Sequence, residues 1–298
     1  MNATSSHPIR TLAIVGVGLI GGSLGLALKR AGAVGRVIGV GRSPANLDTA
    51  RSRGAIDEIQ PDLRRAVSDA DVIVLATPVN TIAALFGALA PALTDDKIIT
   101  DVGSVKAGVC AAASAALGAR ISRFVPGHPI AGKEKSGIAA AAADLFENHK
   151  VILTPSDATD PQSCLTIKKM WQTIGAEVKS MTVSEHDRVL SITSHLPHVL
   201  SYVMMDFLAT SPEREHCYQM AAGGFYDFTR TASSDPEMWR DISIMNKRHL
   251  LEHIAKFKRQ LNNVAAMIDA DDETAIEDLY ASARRARALV TEKRKLES

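Results

Sequence analysis

Cysteine is scarce in this chain. Three residues in 298, far apart at Cys110, Cys164 and Cys217, are too few and odd in number for a disulfide framework, so reduced thiols are expected. An excess of one charge is also missing. The 34 basic and 33 acidic residues leave a net charge of +1, which offers no polyanion-binding surface and makes nucleic acid an unexpected partner. No run reaches the roughly 18 apolar residues that a membrane span needs, and residues 1–10 (MNATSSHPIR) lack the apolar core of a signal peptide. Internal repeats and low-complexity linkers are absent too. What is left is a soluble, cytoplasmic globular protein, with 46% hydrophobic residues to build a core and a length that predicts about two domains. The basic run near the end (Arg284, Arg285, Arg287, Lys293, Arg294, Lys295) alternates with apolar residues and reads as a solvated helix face.

Two halves differ in pattern. From residue 11 to about 182, short β-branched runs (Leu12–Val15, Arg36–Val40, Asp71–Ala76, Lys97–Asp101, Lys150–Leu153 and Glu177–Met181) alternate with helical stretches, which predicts βαβ units and a mostly parallel sheet. After Ser184 the strand signals stop and helices follow, over Glu185–Thr193, Pro197–Leu208, Arg214–Ala222, a long one from Pro236 and a last one from about Asp272. Asp235-Pro236 is a helix start, and no breaker follows before Ile268, so one helix of 33 residues is expected. At 1.5 Å per residue it would span about 50 Å. Its apolar positions Leu250, Ile254, Phe257, Leu261, Val264 and Ile268 step by four and three, a heptad-like seam that predicts packing across a homodimer. The alanine runs at 111–116 and 139–143 read as helix formers.

Gly16-Val17-Gly18-Leu19-Ile20-Gly21 stands between the first predicted strand and the first predicted helix. GxGxxG alone is a weak signal, but here a strand precedes it, an amphipathic helix follows, and a second strand comes about 20 residues on. Gly16 permits the tight turn, Gly18 lets the backbone approach a pyrophosphate, and Gly21 lets the helix pack on the sheet. The phosphates would rest on the free N–H groups of Leu19, Ile20 and Gly21 at the positive end of the helix dipole. At the end of the second strand, where NAD sites usually carry a carboxylate for the ribose, the chain has Gly41-Arg42-Ser43. Room at Gly41, with Arg42 and Ser43 as donors, favours the 2′-phosphate of NADP, with NAD the alternative. Thr77-Pro78 follows the third strand and either lines the nicotinamide side of the site or makes a simple turn.

The residues able to do chemistry lie further on. Ser104, in Asp101-Val102-Gly103-Ser104-Val105-Lys106, is placed to cap a helix or to face a substrate. His128 sits in a polar, glycine-bracketed loop, where an alcohol-oxidising enzyme needs a base that titrates near neutrality. His195 and His198 are one helical turn apart without the companion ligands of a metal site, so no metal is expected. Arg230 precedes the long helix and is either a surface ion pair or a clamp for a carboxylate.

Together these motifs resemble the prephenate/arogenate (cyclohexadienyl) dehydrogenase family over residues 11 to about 270: GVGLIGGS at 16–23, DVGSVK at 101–106, HPIAG at 128–132, SHLPH at 194–198 and FTR at 228–230. The resemblance implies an α/β Rossmann-type dinucleotide-binding domain (1–182) followed by an all-α substrate-binding and dimerisation domain (183–298). It implies oxidative decarboxylation of prephenate to 4-hydroxyphenylpyruvate, or of arogenate to tyrosine, in tyrosine biosynthesis. His128 would take the proton of the ring hydroxyl and Ser104 would steady that group. Arg230 would anchor a carboxylate, His198 and His195 would line the pocket, and Glu134 would gate it. Some members carry lysine just before the Asp-Phe-Thr-Arg stretch; Tyr226 stands here and weakens that carry-over. The length leaves no room for the regulatory or fused domains of longer relatives, so any tyrosine feedback is expected at the active site. The alternatives are another dehydrogenase with a helical second domain, of the β-hydroxyacid dehydrogenase or pyrroline-5-carboxylate reductase kind, and a non-catalytic dinucleotide sensor.

Overall fold

The computed structural model describes residues 8–133 and 135–296, the last four by backbone alone. The first half runs β1 (Ile9–Val15), α1 (Leu19–Arg30), β2 (Val34–Val40), α2 (Pro44–Ser52), β3 (Glu58–Ile59), α3 (Leu63–Asp69), β4 (Val72–Leu75), α4 (Ile82–Leu89), β5 (Ile98–Asp101), α5 (Ala107–Leu117) and β6 (Phe124–Val125). Its six strands pair in the order β3-β2-β1-β4-β5-β6, all parallel. This is the doubly wound order, with the strand sequence reversing at β1 and β4, and ligands bind such sheets at the carboxyl ends beside that reversal. Both faces are covered. Leu12, Ile14, Val72 and Val74 belong to one core cluster and Ala13, Val15, Ile73 and Leu75 to the other, so the strands read as continuous apolar runs.

A second sheet follows: β7 (Gly127–Pro129), β8 (Lys150–Leu153), then α6 (Pro161–Thr173) and β9 (Glu177–Ser180). β7 pairs antiparallel with β8, and β8 parallel with β9. The strands expected at Lys150–Leu153 and Glu177–Met181 therefore exist but do not extend the main sheet. Pro126, between β6 and β7, has no N–H for a ladder and ends the first sheet there. The alanine run at 139–143 is not a helix beyond one 3₁₀ turn, Ile138–Ala140. Its backbone groups are taken elsewhere: the Ala142 N–H donates to Ser23 Oγ (3.0 Å), and the carbonyls of Ala141 and Ala143 accept from Arg53 (2.8 Å) and Arg30 (2.9 Å).

Among the described residues from 183 on, the regular elements are all helical: α7 (Val183–Leu190), α8 (Leu196–Ala209), α9 (Arg214–Met220), α10 (Gly223–Thr229), α11 (Pro236–Met245), α12 (Lys247–Asp269) and α13 (Glu273–Leu296). A π-helical turn, Ser191–His195, joins α7 to α8. Pro197 has no N–H for the Thr193 carbonyl and its ring would collide with it, and a widened turn relieves both. The long helix expected from Pro236 to Ile268 is broken. Asn246 leaves helical geometry at φ −103° and ψ 25°, because its buried amide is used by the chain around Asp187 and His195. The chain divides into two compact units, Met1–Lys247 and Arg248–Ser298. Within the second, Asp272 Oδ1 accepts the Ala275 N–H (3.0 Å) and starts α13. Among the described residues no helix is long and apolar enough to cross a membrane.

Candidate active site

The carboxyl edge of the main sheet collects the glycine loop after β1, Thr77 after β4, and Ser104 after β5. Gly16 adopts φ +97°, and a Cβ there would lie 2.6 Å from the Ala76 carbonyl oxygen, so only glycine fits. At Gly21 a Cβ would fall 2.3 Å from the Gly16 oxygen, which fixes how closely α1 approaches the turn. Gly18 faces open space, with nothing within 4 Å of its would-be Cβ. α1 has no side-chain cap and no acidic residue in its first turn, so its N–H groups and dipole are left for an anion. These features fit a dinucleotide pyrophosphate. Thr77 lies against the loop, its Cγ2 2.8 Å from the Gly16 Cβ position, and its hydroxyl is hydrogen-bonded to Thr81 Oγ1 (2.7 Å). Arg42 is exposed at the end of β2, while Ser43 Oγ caps α2 by accepting the Asn46 N–H (3.3 Å).

His128 is buried on β7. Its Nδ1 lies 2.8 Å from Nε2 of His186, whose Nδ1 lies 2.8 Å from Oδ1 of Asp187. The same carboxylate accepts the N–H of Lys106 at Oδ1 (2.8 Å) and of Ala107 at Oδ2 (2.9 Å), and so caps α5 from a distance. Ser104 is therefore not the cap expected from its position; the helix begins three residues later, and Asp187 has taken the role. Beneath His128, the buried Lys106 ammonium pairs with Asp101 and donates to the Gly127 carbonyl (2.7 Å), and Asp101 accepts the N–H groups of Gly103 (2.8 Å) and Gly127 (3.1 Å). Both backbone polar groups of the residue before His128 are thus held by one buried ion pair.

The two predicted histidines of α8 and its preceding turn come to the same region. Asn246 Nδ2 donates to the Asp187 carbonyl (2.8 Å), which can only accept, and this identifies the amide end that faces His195 Nδ1 at 3.1 Å. His195 Nδ1 therefore accepts, and its proton sits on Nε2, a buried atom with no hydrogen-bond partner among the described residues. His198 accepts no such bond; its Nδ1 donates to the Ser194 carbonyl (2.8 Å) and its ring stacks on Trp239 with centroids 3.5 Å apart. Arg230 is exposed on the 3₁₀ turn after α10, close enough that its charge helps to hold His198 neutral. Glu134 lies outside the described residues. Among the described residues no group of three or more His, Cys, Asp or Glu is arranged to hold a metal.

Burial, more than any other cause, moves three of these histidines below their ordinary 6.5: His128 well below, where the nearby Lys106 ammonium also opposes a second proton; His195 to about 4; and His198 in the same direction. The sign for stability follows. Below pH 6.5 the unfolded chain binds protons that the folded chain refuses, so stability is full above that pH and falls as pH drops towards the folded values. Each such histidine costs up to about 1.4 kcal/mol per pH unit in that window. The urea midpoint is expected to fall between pH 7 and pH 5, and an unchanged midpoint would contradict neutral burial.

The model of the prephenate dehydrogenase nucleotide-binding domain matches residues 24–180, and that of the prephenate dehydrogenase dimerization domain matches residues 182–282. The chain belongs to the prephenate dehydrogenase family. Within it, the chain is 36% identical over 278 residues to the cyclohexadienyl dehydrogenase of Zymomonas mobilis, covering 93% of this chain and 94% of that one. It is 37% identical over 267 residues to the prephenate dehydrogenase of Bacillus subtilis, covering 88% and 71%. Among solved structures it is similar to the Aquifex aeolicus prephenate dehydrogenase in complex with hydroxyphenyl propionate and NAD+, at TM-score 0.88 and 36% identity over 94% of this chain and 98% of that one. The Synechocystis arogenate dehydrogenase follows at TM-score 0.81 and 29% identity, covering 94% and 100%. The prephenate dehydrogenase family thus joins an α/β nucleotide-binding domain to a helical one in this chain, as its strand and helix patterns imply.

Sequence pattern alone does not single out His186, Asp187, Asn246 or Trp239. One signal was available. On α7, His186, Asp187 and Leu190 are the buried face, so two polar residues stand where an amphipathic helix calls for apolar ones.

Proposed function

We propose that the enzyme oxidatively decarboxylates prephenate, arogenate or both, with a nicotinamide dinucleotide as hydride acceptor. The observation that carries this is His128: a buried, neutral imidazole, anchored at Nδ1, on a strand tied through the Gly127 N–H to Asp101 at the carboxyl end of β5, in the sheet whose β1 leads into the glycine loop. A nicotinamide dinucleotide held at the glycine loop (Gly16, Gly18, Gly21) would supply the acceptor for the hydride that leaves the ring carbon bearing the hydroxyl. His128 Nε2 accepts the hydroxyl proton as that carbon becomes carbonyl-like, and returns it to the oxygen once loss of CO2 makes the ring aromatic. The bond to the departing carboxylate supplies the electrons of the new aromatic ring. Ser104, with no cap to serve, is free to steady the hydroxyl. Arg230 and His198 form the carboxylate end of the pocket, His195 Nε2–H offers it a donor, and Glu134 gates it. Residues 1–182 act as the dinucleotide-binding domain and 183–298 as the substrate-binding and dimerisation domain. A cytoplasmic location suits the three free thiols.

The decisive assay is steady-state turnover of prephenate, arogenate and 3-hydroxyisobutyrate with each cofactor. Turnover of a cyclohexadienyl substrate is expected, and turnover of 3-hydroxyisobutyrate alone would refute the reading. Arg42 at the end of β2, where no carboxylate stands, supports NADP. One charge-assisted contact to the 2′-phosphate is worth about tenfold or more in kcat/KM, and a strong NAD preference would refute it. A homodimer is supported by the seam on α12, where Leu261 and Ile268 are 53% and 57% exposed within one chain. Sedimentation at micromolar concentration is expected to give a dimer, and a stable monomer would exclude it.

A further inference from the structure

We infer that Asp187 is the positioning residue that makes His128 a proton acceptor, by fixing through His186 which ring nitrogen of His128 carries hydrogen. The inference rests on the proposed role of His128 and adds a cause for it. Asp187 receives two backbone N–H groups, from Lys106 and Ala107, one on each oxygen. Backbone amides only donate, so both oxygens are acceptors, and burial and hydrogen bonds together leave this carboxyl below its ordinary range: burial raises it, but the bonds from His186, Ala107 and Lys106 outweigh that. His186 Nδ1, 2.8 Å from Oδ1, must then carry a hydrogen. A neutral imidazole has one N–H, so His186 Nε2 is a lone pair. That lone pair faces His128 Nδ1 at 2.8 Å, and two lone pairs cannot meet there; His128 Nδ1 carries the hydrogen. Nε2 of His128 is left as the acceptor. All three side chains are buried, at 8%, 0% and 2% exposure, so water does not choose the tautomers. The reverse arrangement needs a doubly protonated His186, a second buried cation in the region where Lys106 already lies.

The same carboxylate does a second thing. By holding the first amides of α5 it fixes the segment that follows Ser104, so one residue of α7 aligns both the base and the serine segment of the sheet half. This explains why a charged side chain is buried on that helix face.

Histidine-selective nitrogen-15 spectra of the dinucleotide-bound protein read the tautomer directly, and His128 is expected to be Nδ1–H. Asp187→Asn and His186→Leu are expected to lose that single tautomer and to lower kcat between about 10- and 10³-fold, with KM within about threefold. His186→Leu leaves both amide bonds of Asp187 in place, so it separates tautomer control from helix capping should Asp187→Asn fold poorly. His186→Gln keeps an acceptor facing His128 and is expected to recover most of what His186→Leu loses. An Nε2–H tautomer of His128 in the unaltered protein would overturn the inference. So would near-normal kcat in both variants while His128→Asn is inactive, an outcome that leaves the base reading standing.

Discussion

Replacing His128 with asparagine lowers kcat by about 10²–10⁴-fold, the usual worth of a positioned general base, while dinucleotide binding is retained. Asparagine keeps a polar group in the pocket but has no nitrogen that can take and return a proton. The proton moves only as the ring carbon gives up hydride, so the lost interaction belongs to the transition state, and kcat falls with kcat/KM rather than KM rising alone. His128 lies on β7 and the glycine loop after β1, so the cofactor cradle does not depend on it for its backbone shape. Steady-state kinetics together with a fluorescence titration of the dinucleotide check both halves. A dinucleotide sensor without catalysis would show no change in either, and that result would return the chain to the sensor alternative.

The second large effect falls on stability. Lys106 is fully buried, and its ammonium has Asp101 and the Gly127 carbonyl as partners. Lys106→Met removes the cation and leaves the Asp101 carboxylate charged in the core, which costs about 3–5 kcal/mol. Part of the loss is local, because Asp101 and Lys106 together hold the N–H and carbonyl of Gly127 and so the chain that presents His128. The double variant Lys106→Met with Asp101→Asn removes the stranded charge and is expected to lose clearly less than the single one. Urea denaturation of the two variants checks this, and equal losses would show that the pair is not coupled.

The parts that local chemistry dictates were legible in the sequence. A glycine that must take φ +97° and another whose Cβ would fall 2.3 Å from a carbonyl oxygen leave a pattern in the chain, and so do alternating short strands and helices. The predicted histidines and Arg230 occur in recognisable motifs, and the fold brings His128, His195, His198 and Arg230 into one region. What could not be read were the effects of distant partners. Ser104 looks like a helix cap until Asp187, 83 residues on, supplies both acceptor oxygens. The 33-residue helix looks unbroken until Asn246 is drawn out of it by Asp187 and His195. Alanines 139–143 have helical propensity, but Ser23, Arg30 and Arg53 claim their backbone groups. In each case a tertiary hydrogen bond outweighed a local preference of a few tenths of a kcal/mol per residue.

Simultaneous measurement of CO2 release and dinucleotide reduction, with prephenate and then arogenate as substrate, tests the central claim most directly. The account predicts one CO2 for each dinucleotide reduced, with 4-hydroxyphenylpyruvate or tyrosine as the aromatic product, and loss of both signals together in His128→Asn. Dinucleotide reduction without CO2, or no reduction with either substrate, would contradict it.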